Sequence, residues 1–114
     1  MSKSIFKLQA SQDLSLAEVT ELFQAKMGGG LVTAVGYELG AVQTALYVYE
    51  RSYLRTEGVA TLSVLFTKDE HRFLADVVAS GAGMVTINIS FGANAHCANL
   101  AKNILKELGF EEIE

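Results

Sequence analysis

The sequence predicts an α+β domain of two layers, a mostly antiparallel sheet with two helices packed on one face. Three observations carry that expectation. Apolar and polar residues alternate through much of the stretch from Leu31 to Phe91, two segments repeat apolar residues at intervals of three and four, and glycines stand between the patterned runs. The chain has 114 residues, half of them apolar, 19% charged and with a mean hydropathy of +0.27. A chain of this length removes roughly two-thirds of its extended surface from water on folding, enough for one core without metal or disulfides. One domain over 1–114 is expected, since no proline, repeat or linker marks a second.

The elements follow in order. Residues 4–10 place Phe6 and Leu8 on one side of an extended segment, a first strand. Ser15 and Glu18 have the spacing of a capping box, so a helix should open there. Leu16, Val19, Phe23 and Met27 line one of its faces, and the run Gly28-Gly29-Gly30 stops it.

From Leu31 to Leu39 the residues alternate and β-branched types are frequent, which predicts a strand. Gly40 supplies a turn, and Val42, Thr44, Leu46 and Val48 begin a second strand paired to the first as a hairpin. Arg55 to Gly58 is turn-like, and Val59 to Thr67 presents Leu62, Val64 and Phe66 on one face, a further strand.

Residues 67–81 carry two signals. Thr67 and Glu70 have capping-box spacing, Phe73, Leu74, Val77 and Val78 fit a helix, and Gly81 would cap it. Against that, Lys68-Asp69-Glu70 makes a turn and Phe73, Ala75, Val77 and Ala79 alternate with their neighbours, which favours a strand. Met84 to Phe91 alternates cleanly and predicts a last strand. Asn94 is the expected N-cap of a closing helix with Cys97, Ala101, Ile104 or Leu105, and Leu108 as its apolar stripe. Gly109 ends it, and Phe110 stands where a Schellman motif folds an apolar side chain back onto the last turn. The order is β-α-β-β-β-β-β-α, and a helix-grip-like topology with a cavity under the last helix fits it.

The segment Tyr49-Glu50-Arg51-Ser52-Tyr53-Leu54-Arg55, the step Gly81-Ala82-Gly83, and Phe91-Gly92 before the last helix together resemble a family of small bacterial proteins of unknown function. The resemblance spans most of residues 42–110. It implies a bacterial cytosolic origin and a strand over 71–80, and it supplies no activity, ligand or catalytic residue.

Composition argues against several partners. Net charge is −4, opposite in sign to what phosphates or anionic membranes attract, and lysines and arginines are scattered, so neither nucleic acid nor a membrane surface is expected. The uncharged apolar-leaning run Gly28 to Tyr37 is far short of the roughly 20 residues of a spanning helix, and no membrane span is expected. The N-terminus lacks the apolar core of a secretion signal, and a single cysteine suits a reducing compartment, so a cytoplasmic location is expected.

Chemistry-bearing residues are few. His96 and Cys97 are neighbours, but adjacent helical residues project about 100° apart and form no thiolate–imidazole pair. Cys97 falls on the apolar stripe, which favours a buried structural thiol over a reactive one. No spacing matches a metal site, so neither a metal nor a cofactor is expected, and His71 and His96 read as solvated. Gly81-Ala82-Gly83 lacks the third glycine of a dinucleotide loop and reads as a turn with positive φ. Gly92 and Asn94, opening the last helix, offer free N–H groups to an anion or simply cap it.

Tyr47, Tyr49, Arg51, Tyr53 and Arg55 share one side of an extended strand, aromatic area beside fixed positive charge. Such a stripe suits a protein interface or a carboxylate-bearing ligand, or is a half-exposed strand face with cross-strand pairs. Three functions fit: a noncatalytic binding or interaction module, homo-oligomeric as a dimer through a strand edge or this stripe; a small-molecule binder with a cavity between sheet and last helix; and an enzyme using Cys97 or His71, for which no acid, base and nucleophile constellation is visible. The first is the leading expectation.

Overall fold

A computed structural model describes residues 5–11, 13–53, 58–81 and 93–113. Strands β1 (Ile5–Ala10), β2 (Leu31–Leu39), β3 (Val42–Tyr53), β4 (Gly58–Lys68), β5 (Phe73–Ser80) and β6 (Glu111–Glu112) form one sheet, with helix α1 (Leu16–Met27) after β1 and helix α2 (Ala93–Glu107) between β5 and β6. The sheet order is β2-β3-β4-β5-β1-β6 and every pairing is antiparallel. The expected α+β fold is thus a six-stranded antiparallel sheet with two helices packed against it. No helix among the described residues is long and apolar enough to cross a membrane.

Local chemistry explains the boundaries. Ser15 caps α1, its hydroxyl oxygen accepting from the Glu18 N–H at 3.3 Å, and Gly28 closes it at φ 80° while its N–H donates to the Gln24 carbonyl. At the end of α2 the Schellman geometry forms as expected: Phe110 N–H donates to Leu105 O at 3.0 Å and Gly109 N–H to Lys106 O at 3.2 Å, with Gly109 at φ 107°. Phe110 is thereby folded inward and buried.

Residues 73–80 are a strand. Their alternation outweighs the helical signal because β5 lies between β4 and β1 and bonds to both, Val77 facing Val64 on one side and Phe6 on the other. The Thr67/Glu70 pair caps nothing; Asp69 instead builds the turn, its carboxylate accepting from the N–H groups of His71 and Arg72 at 2.7 and 2.8 Å. These bonds hold the Asp69 carboxyl below the usual carboxylate range.

Two expectations change or fall outside. Asn94 lies inside α2, which already includes Ala93, so it is not the residue ahead of the helix. The strand expected at 84–91 lies outside the described residues. One element had no sequence signal: β6, two glutamates that pair with Leu8 and Gln9 of β1.

The core forms where α1 and α2 cover the inner face of β1, β4 and β5. Phe6 and Leu8, then Leu62, Val64 and Phe66, then Phe73, Ala75 and Val77 point inward from those strands. Val19, Phe23 and Met27 of α1 and Cys97, Ala98, Ala101, Ile104 and Leu105 of α2 meet them. Phe66 is the hub, with ring centroids of Phe23, Tyr47, Phe73 and Phe110 between 5.6 and 6.5 Å away. Lys26 of α1 reaches Glu107 of α2 at 3.1 Å across the surface of the helix layer.

Candidate functional site

Two features mark the β2–β3 half of the sheet. The first is the tyrosine and arginine stripe of β3. Antiparallel register sets Tyr47 opposite Val64, Tyr49 opposite Leu62 and Arg51 opposite Ala60, and Leu62, Val64 and Ala60 are inner-face residues. The stripe therefore faces the helix layer. Tyr47 is half-buried against Phe66, and Tyr49 is fully buried, edge-on to Phe23 with centroids 6.1 Å apart.

Arg51 ends this row. Its Nη2 donates to the carbonyl of Met27, the last residue of α1, so a fixed cation meets the negative pole of the helix. Two atoms of the stripe, Tyr49 Oη and Arg51 Nε, are buried without a hydrogen-bond partner among the described residues. Burial raises the Tyr49 phenol above its ordinary pKa, the neighbouring Tyr47 adds to that, and the Arg51 charge opposes it. Tyr53 closes β3 opposite Gly58, while Arg55 and Gly92 lie outside the described residues. The fold thus gathers Tyr47, Tyr49 and Arg51, and sets Asn94 on a different element, in the first turn of α2.

The second feature is β2. All nine of its residues are exposed, and among the described residues it is the end strand of the sheet. Its side chains are apolar nonetheless: Leu31, Val32, Val35, Tyr37 and Leu39 are large and open, Tyr37 and Leu39 at 63% and 68%. Only one charged residue, Glu38, occurs between Gly28 and Tyr49, and its carboxylate accepts from Gln43 Nε2 at 2.9 Å. On the outer face, away from the helices, register lines Val35 beside Leu46 and Leu46 beside Leu65, an apolar row across three strands.

The junction leading into β2 is held closely. Gly30 sits at φ 97°, its carbonyl accepts from Glu50 N–H at 2.8 Å, and a Cβ on it would lie 2.6 Å from the Glu50 carbonyl oxygen. Only glycine fits there without a shift. Sequence reasoning read the 31–39 pattern correctly as a strand but gave no sign that this strand would be the uncovered one, because alternation reports a period and not a neighbour.

His71 and Cys97 stand far apart. Cys97 is buried in the second turn of α2. His71 lies in the β4–β5 turn, beside Phe73, whose ring meets Phe110 just past the far end of α2 at 5.1 Å. With 1.5 Å of rise per residue, about 15 Å of helix separates the two ends. No group of three or more His, Cys, Asp or Glu side chains among the described residues is arranged to hold a metal.

Residues 1–109 match the model of DUF6054, a family of unknown function. The match agrees with the resemblance noted from residues 42–110 and extends it through β1 and α1. No curated protein and no solved structure matches the chain.

Proposed function

The chain belongs to the DUF6054 family, which hands down no known activity, and from that premise we propose that it is a noncatalytic interaction module whose working surface is the free edge of β2. The observation that carries this reading is the combination of length, exposure and composition of that edge: nine exposed residues with a single charge. Edge strands of this length are ordinarily shortened, charged or covered, because a row of unpaired N–H and C=O groups invites another strand. Recognition by strand addition uses such a row for affinity and alternate side chains for selectivity. The setting we infer is the cytoplasm, where a lone thiol stays reduced.

A photo-crosslinking side chain at Tyr37 tests the reading in cells that make the protein. Adducts are expected at Tyr37, few at the exposed Glu21 of α1, and their loss when Ala34→Pro removes a backbone donor from the edge. Equal labelling at both positions, or adducts indifferent to Ala34→Pro, would overturn it.

A second reading, binding of a small carboxylate-bearing molecule beneath α1, draws support from the two unpaired buried atoms, Tyr49 Oη and Arg51 Nε. Titration with small carboxylic acids should then shift the Tyr49 ring resonances of the native protein and spare those of Arg51→Met. No shift at millimolar acid removes this reading.

A further inference from the structure

We infer that the strand received by β2 is the β2 of a second copy of this chain, paired antiparallel about a two-fold axis at Val35. The inference rests on the interaction-module reading and names its partner.

The two borders of the sheet differ in a way that selects this arrangement. The far border, β6, has two residues, both glutamates, and Glu112 is held by Lys102 at 3.7 Å and Lys106 at 3.5 Å. A β2 strand adding to β6 of another copy would find two residues to pair with and acidic side chains beside an apolar strand. Head-to-tail growth is therefore poorly served, whereas β2 on β2 uses the same surface twice and closes at two.

The backbone parity of β2 permits the pairing. A two-residue connection, Gly40-Ala41, joins Leu39 to Val42, so those two exchange hydrogen bonds, and Tyr37 and Val35 likewise turn their backbone groups toward β3. Glu38, Gly36 and Ala34 then direct N–H and C=O outward. With the axis at Val35, the outward groups of Ala34 meet those of Gly36 from the other copy, twice over. The regular stretch from Thr33 to Tyr37 overlaps itself completely, short of the register shift that falls between Leu31 and Thr33, and an axis elsewhere on the strand shortens that overlap.

The side chains agree with this register. On the outer face Val35 meets Val35 and Tyr37 meets Thr33, aromatic or β-branched partners of the kind that stabilise antiparallel pairs. On the inner side, the residues nearest the axis are Ala34 and Gly36, small enough for close approach. The two Glu38 side chains end about 20 Å apart at roughly 3.3 Å per residue. Parallel pairing would instead set them side by side, like charge against like. The axis is perpendicular to the sheet, so the helices of both copies stay on one side and the Val35, Leu46 and Leu65 rows join across the seam.

Cysteine cross-linking reads the register directly. At Val35, a pair that does not exchange hydrogen bonds, the Cα atoms of the two copies are about 4.5 Å apart, within reach of a disulfide. Under mild oxidation Val35→Cys should give nearly complete covalent dimer. Leu39→Cys should give little with itself, since its two copies are about 26 Å apart, whereas Thr33→Cys should link to Tyr37→Cys when the two variants are mixed. Native Cys97 is buried and serves as the unreactive control in the parent chain. In the native protein, sedimentation should show a dimer at micromolar concentration, and the Ala34 and Gly36 amides should exchange more slowly as concentration rises.

A strict monomer at high micromolar concentration, or self-linking at Leu39 equal to that at Val35, overturns the inference. If Tyr37 adducts in cells have a mass other than twice the chain's, the second copy is wrong and the interaction module stands. If there are no adducts at all, both fall.

Discussion

Tyr49 and Arg51, two residues apart on β3, do opposite things with their polar atoms. The Arg51 guanidinium spends one N–H on the Met27 carbonyl and so ties the last turn of α1 to β3. The Tyr49 ring contributes packing against Phe23, while its hydroxyl is buried with no partner among the described residues and contributes only its desolvation cost. Tyr49→Phe keeps the ring and removes that cost. Urea unfolding at pH 7 should show stability unchanged or raised by about 1 kcal/mol; a loss of that size would mean the hydroxyl is bonded. The alkaline limb carries a second signature. Because the folded state raises the phenol pKa, it disfavours phenolate, so the native chain loses stability as pH climbs through and beyond the free tyrosine value of about 10. Below that value the contribution is constant. In Tyr49→Phe the loss above pH 10 should be shallower.

At the level of elements, the glycine run between α1 and β2 divides into positions with different duties. Gly30 combines positive φ with a backbone oxygen 2.6 Å from where a Cβ would stand, whereas Gly29 has nothing within 4 Å. Gly30→Ala should cost about 1–3 kcal/mol through strain at that junction, and Gly29→Ala should change little. Thermal unfolding of the two variants side by side checks the contrast, and equal effects would show that the run acts only as a flexible spacer. The sequence made the caps legible, Ser15 before α1 and the Gly109-Phe110 pair after α2, because each depends on residues a few positions apart. It left 67–80 ambiguous, because Thr67, Glu70 and Phe73 satisfy a helix locally and only the flanking strands β4 and β1 decide otherwise. The stripe on β3 shows the same limit. Period two told that Tyr47, Tyr49 and Arg51 share a side, but Leu46 and Val48 make the other side apolar too, so nothing local said which side α1 would cover.

Across the whole molecule, apolar surface is distributed unevenly. The half built from β1, β4 and β5 with both helices holds the aromatic hub around Phe66, while the other half leaves all nine residues of β2 exposed and, among the described residues, one of its edges unpaired. Strand order produces this asymmetry: the long β2–β3 hairpin ends at one border, and the helices sit over β1, β4 and β5, which flank it in the chain. Such order depends on contacts far apart in sequence, which is why the candidate surface was not legible although every strand that forms it was.

The stub at the opposite border has a consequence of its own. Two acidic side chains, one of them pinned from the helix by lysines, act as a selvedge that keeps a woven sheet from unravelling into its neighbours. Were Glu111 and Glu112 both exchanged for valine, each molecule would present two sticky hems instead of one, and stacking could run on without a terminus. Filaments binding thioflavin T should then appear where the parent protein stays clear, and their absence would show that something other than those carboxylates limits growth.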